Sequence, residues 1–287
     1  MSAFLKKKPR KALQPHKVGV ALGGGSTLGL AHIGVLRALT ESGIPVDYIS
    51  GTSAGSLVAA SFAFGMPLPQ MIETSKTVTW KKLSRFGYSK LGLNSNRPMG
   101  TFITDMLGDV NIEDAKIPLA IVATNIQTHD MVVLRTGSLH EAIRASTCIP
   151  GIFTPVEVDG AMLVDGGLTE NVPLTALTQM GATFRIGINL SANPVGYTPR
   201  NMLEVLSASF TILSRHRDLH LAQHADVIIE PDLRPFDSTK FKNVEEIIEA
   251  GYAATREMVP RIQELLAPKP EVPTSIRARV RSWFGAK

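Results

Sequence analysis

Two runs of small residues fix most of what this chain can become. Gly23-Gly24-Gly25-Ser26-Thr27-Leu28-Gly29 follows the apolar segment Lys17–Leu22, and Gly51-Thr52-Ser53-Ala54-Gly55 follows Val46–Ser50. Each run opens a helix-like stretch. The first runs from Leu30 to Glu41 and is stopped by Gly43; the second reaches Phe64 and is ended by Gly65 and Pro67. Strand, tight glycine turn and helix form one unit of a parallel sheet, and a chain that repeats the unit must cover that sheet with helices.

The same alternation continues to the far end. Strands are predicted at Leu119–Thr124 and Met131–Leu134, a helix around Leu139–Ala145, then a hairpin in VEVDGAMLVDGG turned at Asp159–Gly160, because Asp-Gly favours the tight primed turn. Helix Val172–Met180, strand Phe184–Leu190, helix Met202–Ala222, strand Asp226–Glu230 and helix Val244–Leu266 complete the pattern. Residues 66–115 read as surface helices and loops. With no repeat or internal linker, the pattern predicts a single α/β domain over 17–266, its mostly parallel sheet sandwiched between helices.

Composition narrows the function. At 287 residues, 44% hydrophobic and 19% charged, the chain can bury a core and is not disordered throughout. A single cysteine, Cys148, leaves no disulfide framework and no cysteine-rich zinc site. No apolar run approaches the ~20 residues of a membrane span. The basic start, MSAFLKKKPRKALQPHK, lacks the apolar region of a signal peptide. The chain therefore reads as cytoplasmic.

The net charge of +5 sits at the ends. Residues 1–17 carry Lys6, Lys7, Lys8, Arg10, Lys11 and Lys17 with no acid, and residues 266–287 carry Lys269, Arg277, Arg279, Arg281 and Lys287 against Glu271. The stretch between is net acidic. A nucleic-acid-binding domain carries its basic charge on the folded face, so nucleic acid is not the expected partner.

Three segments carry chemistry. Gly51–Gly55, between a strand and a helix, has the form of a nucleophile elbow, in which a sharp turn exposes Ser53 and small neighbours let strand and helix pack. The glycine run at 23–29 lets backbone N–H groups converge on an anion, which suits an oxyanion hole or a phosphate cradle. For a dinucleotide, Asp47 stands about 20 residues on, where a ribose-binding acid would be sought, but the G-x-G-x-x-G string is not met. Asp165-Gly166-Gly167 puts a carboxylate at a strand end that another backbone can approach closely. His216, His220 and His224 share one helix face and invite a triad or a metal stripe, but flanking Arg215 and Arg217 favour a solvated face. His32 reads as a packing residue.

Together and in this order, the segments resemble the patatin-like phospholipase family. LGGGSTLGLAHIGVLRAL resembles its oxyanion loop and following helix, GTSAGS its nucleophile elbow, and AIRASTCIPGIFTPVEVDGAMLVDGGLTENVP the loop carrying its second catalytic residue. The resemblance covers about residues 17–190. It implies a three-layer α/β/α fold and a Ser–Asp dyad without histidine, with Ser53 as nucleophile and Asp165 as base. It further implies oxyanion donors among Gly23, Gly24, Gly25 and Ser26, an elbow shaped by Gly51 and Gly55, and hydrolysis of carboxylic esters in phospholipids or lysophospholipids. No metal or organic cofactor is expected. Ser26 and Leu28 depart from the family loop, where a fourth glycine and an arginine are usual, and they motivate the alternative of a catalytically weak, membrane-binding regulator with the same fold.

The tails, 1–16 and 267–287, add a membrane expectation. Ile276, Val280, Trp283 and Phe284 recur at helical spacing beside Arg277 and Arg281, the profile of a short helix lying in a bilayer interface. Lys6–Lys11 would add attraction to anionic lipid. The expected location is cytoplasmic and peripheral on the inner membrane face.

Overall fold

A computed structural model describes residues 16–190 and 224–267, together with 198–199, 205–206, 208–209 and 212–213. In chain order the strands are β1 (Val18–Leu22), β2 (Tyr48–Thr52), β3 (Arg85–Ser89), β4 (Gly92–Ser95), β5 (Leu119–Asn125), β6 (Met131–Leu134), β7 (Gly151–Phe153), β8 (Val156–Val158), β9 (Ala161–Asp165), β10 (Phe184–Ile188) and β11 (Val227–Ile229). The α-helices are α1 (Ala31–Glu41), α2 (Ala54–Ala63), α3 (Leu68–Lys76), α4 (Trp80–Leu83), α5 (Arg97–Leu107), α6 (Leu139–Ser146), α7 (Leu174–Met180) and α8 (Val244–Leu266). A 3-10 turn, Ser26–Leu30, joins the first glycine run to α1.

The main sheet runs β11-β10-β1-β2-β5 with every pair parallel. Strands β6 and β9 pair antiparallel with β5, and β8 with β9. All five residues of β1 are buried, as a parallel strand between two helical layers requires. Alternation along the strands sorts the side chains. Val20, Leu22, Ile49 and Ile121 join the core with residues of α1 and α2. On the other face Ala21 packs with Leu174 and Leu177, and Val122 with Ala176, all under α7. Two cores on opposite faces of one sheet make the three-layer arrangement.

One detail positions the site. On β5, both β2 and β6 pair with Ile121 and Val122, while both β9 and β6 pair with Ala123 and Thr124. A residue has only two ladder sides, so β2 and β9 lie end to end along the edge that β6 leaves open. Strand β2 ends with Thr52 opposite Val122, and β9 ends with Asp165 opposite Ala123. Residues far apart in sequence thus terminate at neighbouring positions.

Several boundaries moved. The second strand is Tyr48–Thr52 rather than Val46–Ser50, because its pairing with β1 starts at Tyr48 and runs up to the turn. Residues 66–115 hold helices as expected, but also the β3–β4 hairpin, which forms a separate small sheet with β7. The Asp159–Gly160 turn has positive φ at both residues (50° and 77°), as the primed turn demands. Most of the expected helix Met202–Ala222 lies outside the described residues, as do residues 1–15 and 268–287 with their basic tails and Ile276, Val280, Trp283 and Phe284. Among the described residues, no helix is long and apolar enough to cross a membrane.

Candidate active site

Strand β2 stops at Thr52 and α2 starts at Ala54, which leaves Ser53 alone at the turn with φ 52° and ψ −125°. A non-glycine residue holds such a conformation only when its surroundings over-determine it. Here they do. The Ser53 N–H donates to Ser146 Oγ at 2.8 Å, and Ser146 Oγ–H donates to the Val122 carbonyl at 2.6 Å. The Ser53 carbonyl accepts from the Ser56 hydroxyl at 2.6 Å and the Ser56 N–H at 2.9 Å. Ser146, the last residue of α6, escaped the sequence reading. Its only signal was a small polar residue ending a helix, in Ala145-Ser146-Thr147.

Asp165 ends β9, buried, with its backbone tied on both sides: its N–H donates to the Cys148 carbonyl at 2.9 Å, and its carbonyl accepts from Thr124 Oγ1 at 3.0 Å. Its carboxylate accepts the Gly167 N–H on Oδ1 at 2.9 Å and the Ser53 hydroxyl on Oδ2 at 2.7 Å. Burial pushes this carboxyl up to about 6, and the Ser53 and Gly167 hydrogen bonds oppose the rise. A carboxylate of that basicity is ionised at neutral pH yet accepts a proton far more readily than one in water.

The glycine loop approaches the pair closely. A methyl group at Gly24 would come within 3.1 Å of the Ser53 Cβ. Of the four expected donors, however, two are already engaged. The Gly23 N–H donates to the Ile188 carbonyl at 3.1 Å, and the Gly24 N–H to Asn171, at 3.2 Å from its carbonyl and 3.1 Å from Oδ1. The N–H groups of Gly25, Ser26 and Ala54 have no acceptor among the described residues. Ser26 adopts φ 54°, a left-handed conformation in which glycine is at ease, while Leu28 is buried in the main core. His32, buried beside the loop, donates from Nε2 to the Gly23 carbonyl at 2.7 Å; burial lowers the imidazole to about 4, so it is neutral. The packing role expected of it is joined by a tie on the glycine loop.

Ser26, Ser53 and Ala54 share the wall of a cleft of about 890 Å³, counting its solvent-open mouth. The rest of that wall is mostly apolar, with Leu57 and Val58 of α2, Met71 of α3, and Met99 and Phe102 of α5 among its residues. Trp80 also lines it; its Nε1–H donates to the Thr239 carbonyl at 2.7 Å and its ring lies 5.2 Å from that of Phe241.

The other candidates fall elsewhere. Asp47 lies just before β2, at the opposite end of the sheet from the glycine loop, accepting from Lys17 Nζ and the Val18 N–H at 2.9 Å each. That position withdraws the dinucleotide reading. His216 and His220 lie outside the described residues, and His224 is exposed. Among the described residues, no cluster of three or more His, Cys, Asp or Glu side chains could hold a metal ion. Cys148 is buried and its thiol pushed up to about 12, which makes it inert.

The family model described as patatin-like phospholipase matches residues 20–178. A patatin-like phospholipase domain-containing protein of Caenorhabditis elegans is 31% identical over 86% of this chain and 21% of its own length. An uncharacterized NTE family protein of Mycobacterium bovis is 34% identical over 63% of this chain and 51% of its own. The lysophospholipase NTE1 of Kluyveromyces lactis is 28% identical over 88% of this chain and 20% of its own. The chain thus spans about half or less of the length of these curated relatives. Among solved structures, VipD from Legionella pneumophila shares the fold with a TM-score of 0.50 at 16% identity, over 86% of this chain and 67% of that one.

Proposed function

The chain belongs to the patatin-like phospholipase family, and on that premise we propose that it is a lipid acyl hydrolase using Ser53 and Asp165 to cleave carboxylic esters of phospholipids or lysophospholipids. The observation that carries the reading is the 2.7 Å hydrogen bond from Ser53 Oγ–H to Asp165 Oδ2 beside a largely apolar cleft. The hydrolase unit is taken to span residues 17–266.

In this mechanism an acyl chain lies in the cleft and presents its ester carbonyl to Ser53. Asp165 takes the hydroxyl proton as Ser53 Oγ attacks, forming a tetrahedral intermediate whose negative oxygen needs donors already in place. Gly25, Ser26 and Ala54 are the proposed donors, since their N–H groups are uncommitted. Gly23 and Gly24 instead anchor the loop. Each such donor is worth about 2.7–4 kcal/mol in related systems. Collapse of the intermediate expels the alcohol, which leaves with the proton held by Asp165. Water then attacks the acyl-enzyme as Asp165 accepts its proton; collapse of the second tetrahedral intermediate returns that proton from Asp165 to Ser53 Oγ and releases the fatty acid.

The departures at Ser26 and Leu28 leave this chemistry intact. Serine retains the backbone N–H that the oxyanion requires, and Leu28 faces the core rather than the cleft. Incubation with a panel of phospholipids, lysophospholipids and p-nitrophenyl esters, read by fatty-acid release, tests the reading. Turnover by wild type and none by Ser53→Ala is expected; no release from any acyl ester, or equal release by both proteins, rejects it.

A further inference from the structure

We propose that the β3–β4 hairpin docks the protein onto anionic phospholipid bilayers beside the cleft. The hairpin turns at Lys90–Leu91, between the paired residues Ser89 and Gly92. It exposes large apolar side chains that a water-facing hairpin would avoid: Phe86 is 79% exposed, Leu91 56% and Leu93 43%. Such exposure leaves three large apolar side chains of one hairpin in water and calls for a nonaqueous partner.

Charge identifies that partner. From Trp80 to Pro98 the chain carries Lys81, Lys82, Arg85, Lys90 and Arg97 and no acid. All five are exposed, and none joins a salt bridge among the described residues. Apolar side chains among unpaired cations match the headgroup region of a membrane with anionic lipid, where the cations meet phosphates and the apolar groups enter the acyl boundary. This distribution also sets the hairpin apart from the net acidic stretch in which it lies.

Position gives the docking a purpose. Trp80 and Leu83 of α4 lead into β3, Met99 and Phe102 of α5 follow β4, and Phe153 of β7 pairs with Asn94 of β4. All five of those apolar residues line the cleft that holds Ser53. A hairpin seated in the interface therefore holds the cleft wall against the lipid layer from which an acyl chain would be drawn. This purpose rests on the lipid hydrolase reading; the docking itself does not.

The test uses the full chain. With the only native cysteine buried, Leu91→Cys can be labelled selectively with an environment-sensitive dye, and Glu264→Cys on α8 serves as the control. Adding phosphatidylcholine vesicles containing phosphatidylglycerol should shift the emission at 91 to the blue and leave that at 264 unchanged. In co-sedimentation, Phe86→Ser/Leu91→Ser/Leu93→Ser and Arg85→Glu/Lys90→Glu should each lose roughly tenfold or more of the vesicle binding. Both should keep wild-type turnover of a soluble short-chain p-nitrophenyl ester, which shows that they fold. No emission shift at 91, a shift at 264 instead, or binding that is unchanged in both variants overturns the proposal. So does a change of oligomeric state in the variants with vesicle binding intact, which would make the hairpin a protein interface. If wild type cleaves no ester, the hydrolase reading fails, while emission and co-sedimentation still decide the docking.

Discussion

The hydroxyl of Ser53 donates to the carboxylate of Asp165 at 2.7 Å across 112 positions of sequence, because β2 and β9 end against adjacent residues, Val122 and Ala123, on one edge of β5. Nothing flexible joins the two groups. Asp165 stands at the last rung of its ladder and Ser53 one residue past the last rung of its own, so their spacing is set by the sheet. Four consequences can be measured.

The carboxyl of Asp165 is pushed from 3.8 up to about 6, so the native state binds its proton more tightly than the unfolded chain does. Stability from this group is therefore greatest below pH 4 and is lost as pH rises from about 4 through 6, by ~3 kcal/mol for a shift of about two units. Asp165→Asn removes the titration while keeping an acceptor for Gly167. Wild-type stability minus that of the variant should fall across pH 4–7 in denaturant melts. Activity runs the other way: the base must be ionised, so wild-type kcat/KM should rise with pH and level off above about 6.

Ser146→Ala leaves the Ser53 N–H buried with no acceptor and frees the Val122 carbonyl. A cost of about 1–3 kcal/mol in stability is expected from the unmet donor. Because the lost bond orients the nucleophile rather than the lipid, kcat should fall with KM little changed. Steady-state kinetics on a soluble ester beside a thermal melt will show both.

Ser26→Gly should raise stability or leave it unchanged, since the serine sits at φ 54° and glycine tolerates that region at no steric cost. The gain is at most about 1 kcal/mol, offset in part by the greater freedom of glycine in the unfolded chain. Ser26→Val, β-branched in the same conformation, should melt lower than wild type.

Gly55→Ala should be severe. A Cβ there would stand 2.1 Å from the Leu22 carbonyl oxygen and 2.7 Å from that of Gly23, both backbone atoms that cannot step aside alone. The substitution forces α2 away from β1 and the glycine loop. Loss of more than about 3 kcal/mol, or failure to accumulate folded protein, is the expected outcome; melting within a degree or two of wild type would show that the turn is looser than described.

Local signals carried a large part of this far in the sequence. Gly51–Gly55 gave away its turn because strand, small residues and helix are contiguous, and Asp159–Gly160 gave away its hairpin because both positions demand positive φ. Met131–Leu134 and Val244–Leu266 lie where their apolar patterns put them. What stayed hidden depends on contacts between distant segments. That Gly23 and Gly24 spend their N–H groups on Ile188 and Asn171 follows from where β10 and residue 171 fall, which no spacing encodes. Ser146 is one small polar residue among several until the fold lays it beside Ser53. The β3–β4 hairpin was missed because Lys90–Leu91 lacks the Asn-Gly or Asp-Gly chemistry of a tight turn and its strands do not alternate cleanly.

Reaction with a fluorophosphonate, followed by mass identification of the modified peptide, asks whether Ser53 is the nucleophile. The expectation is one adduct, on Ser53, absent in Ser53→Ala and formed more slowly in Asp165→Asn. Labelling of Ser53→Ala to the same extent as wild type, or an adduct on any other residue of the wild-type protein, would contradict it.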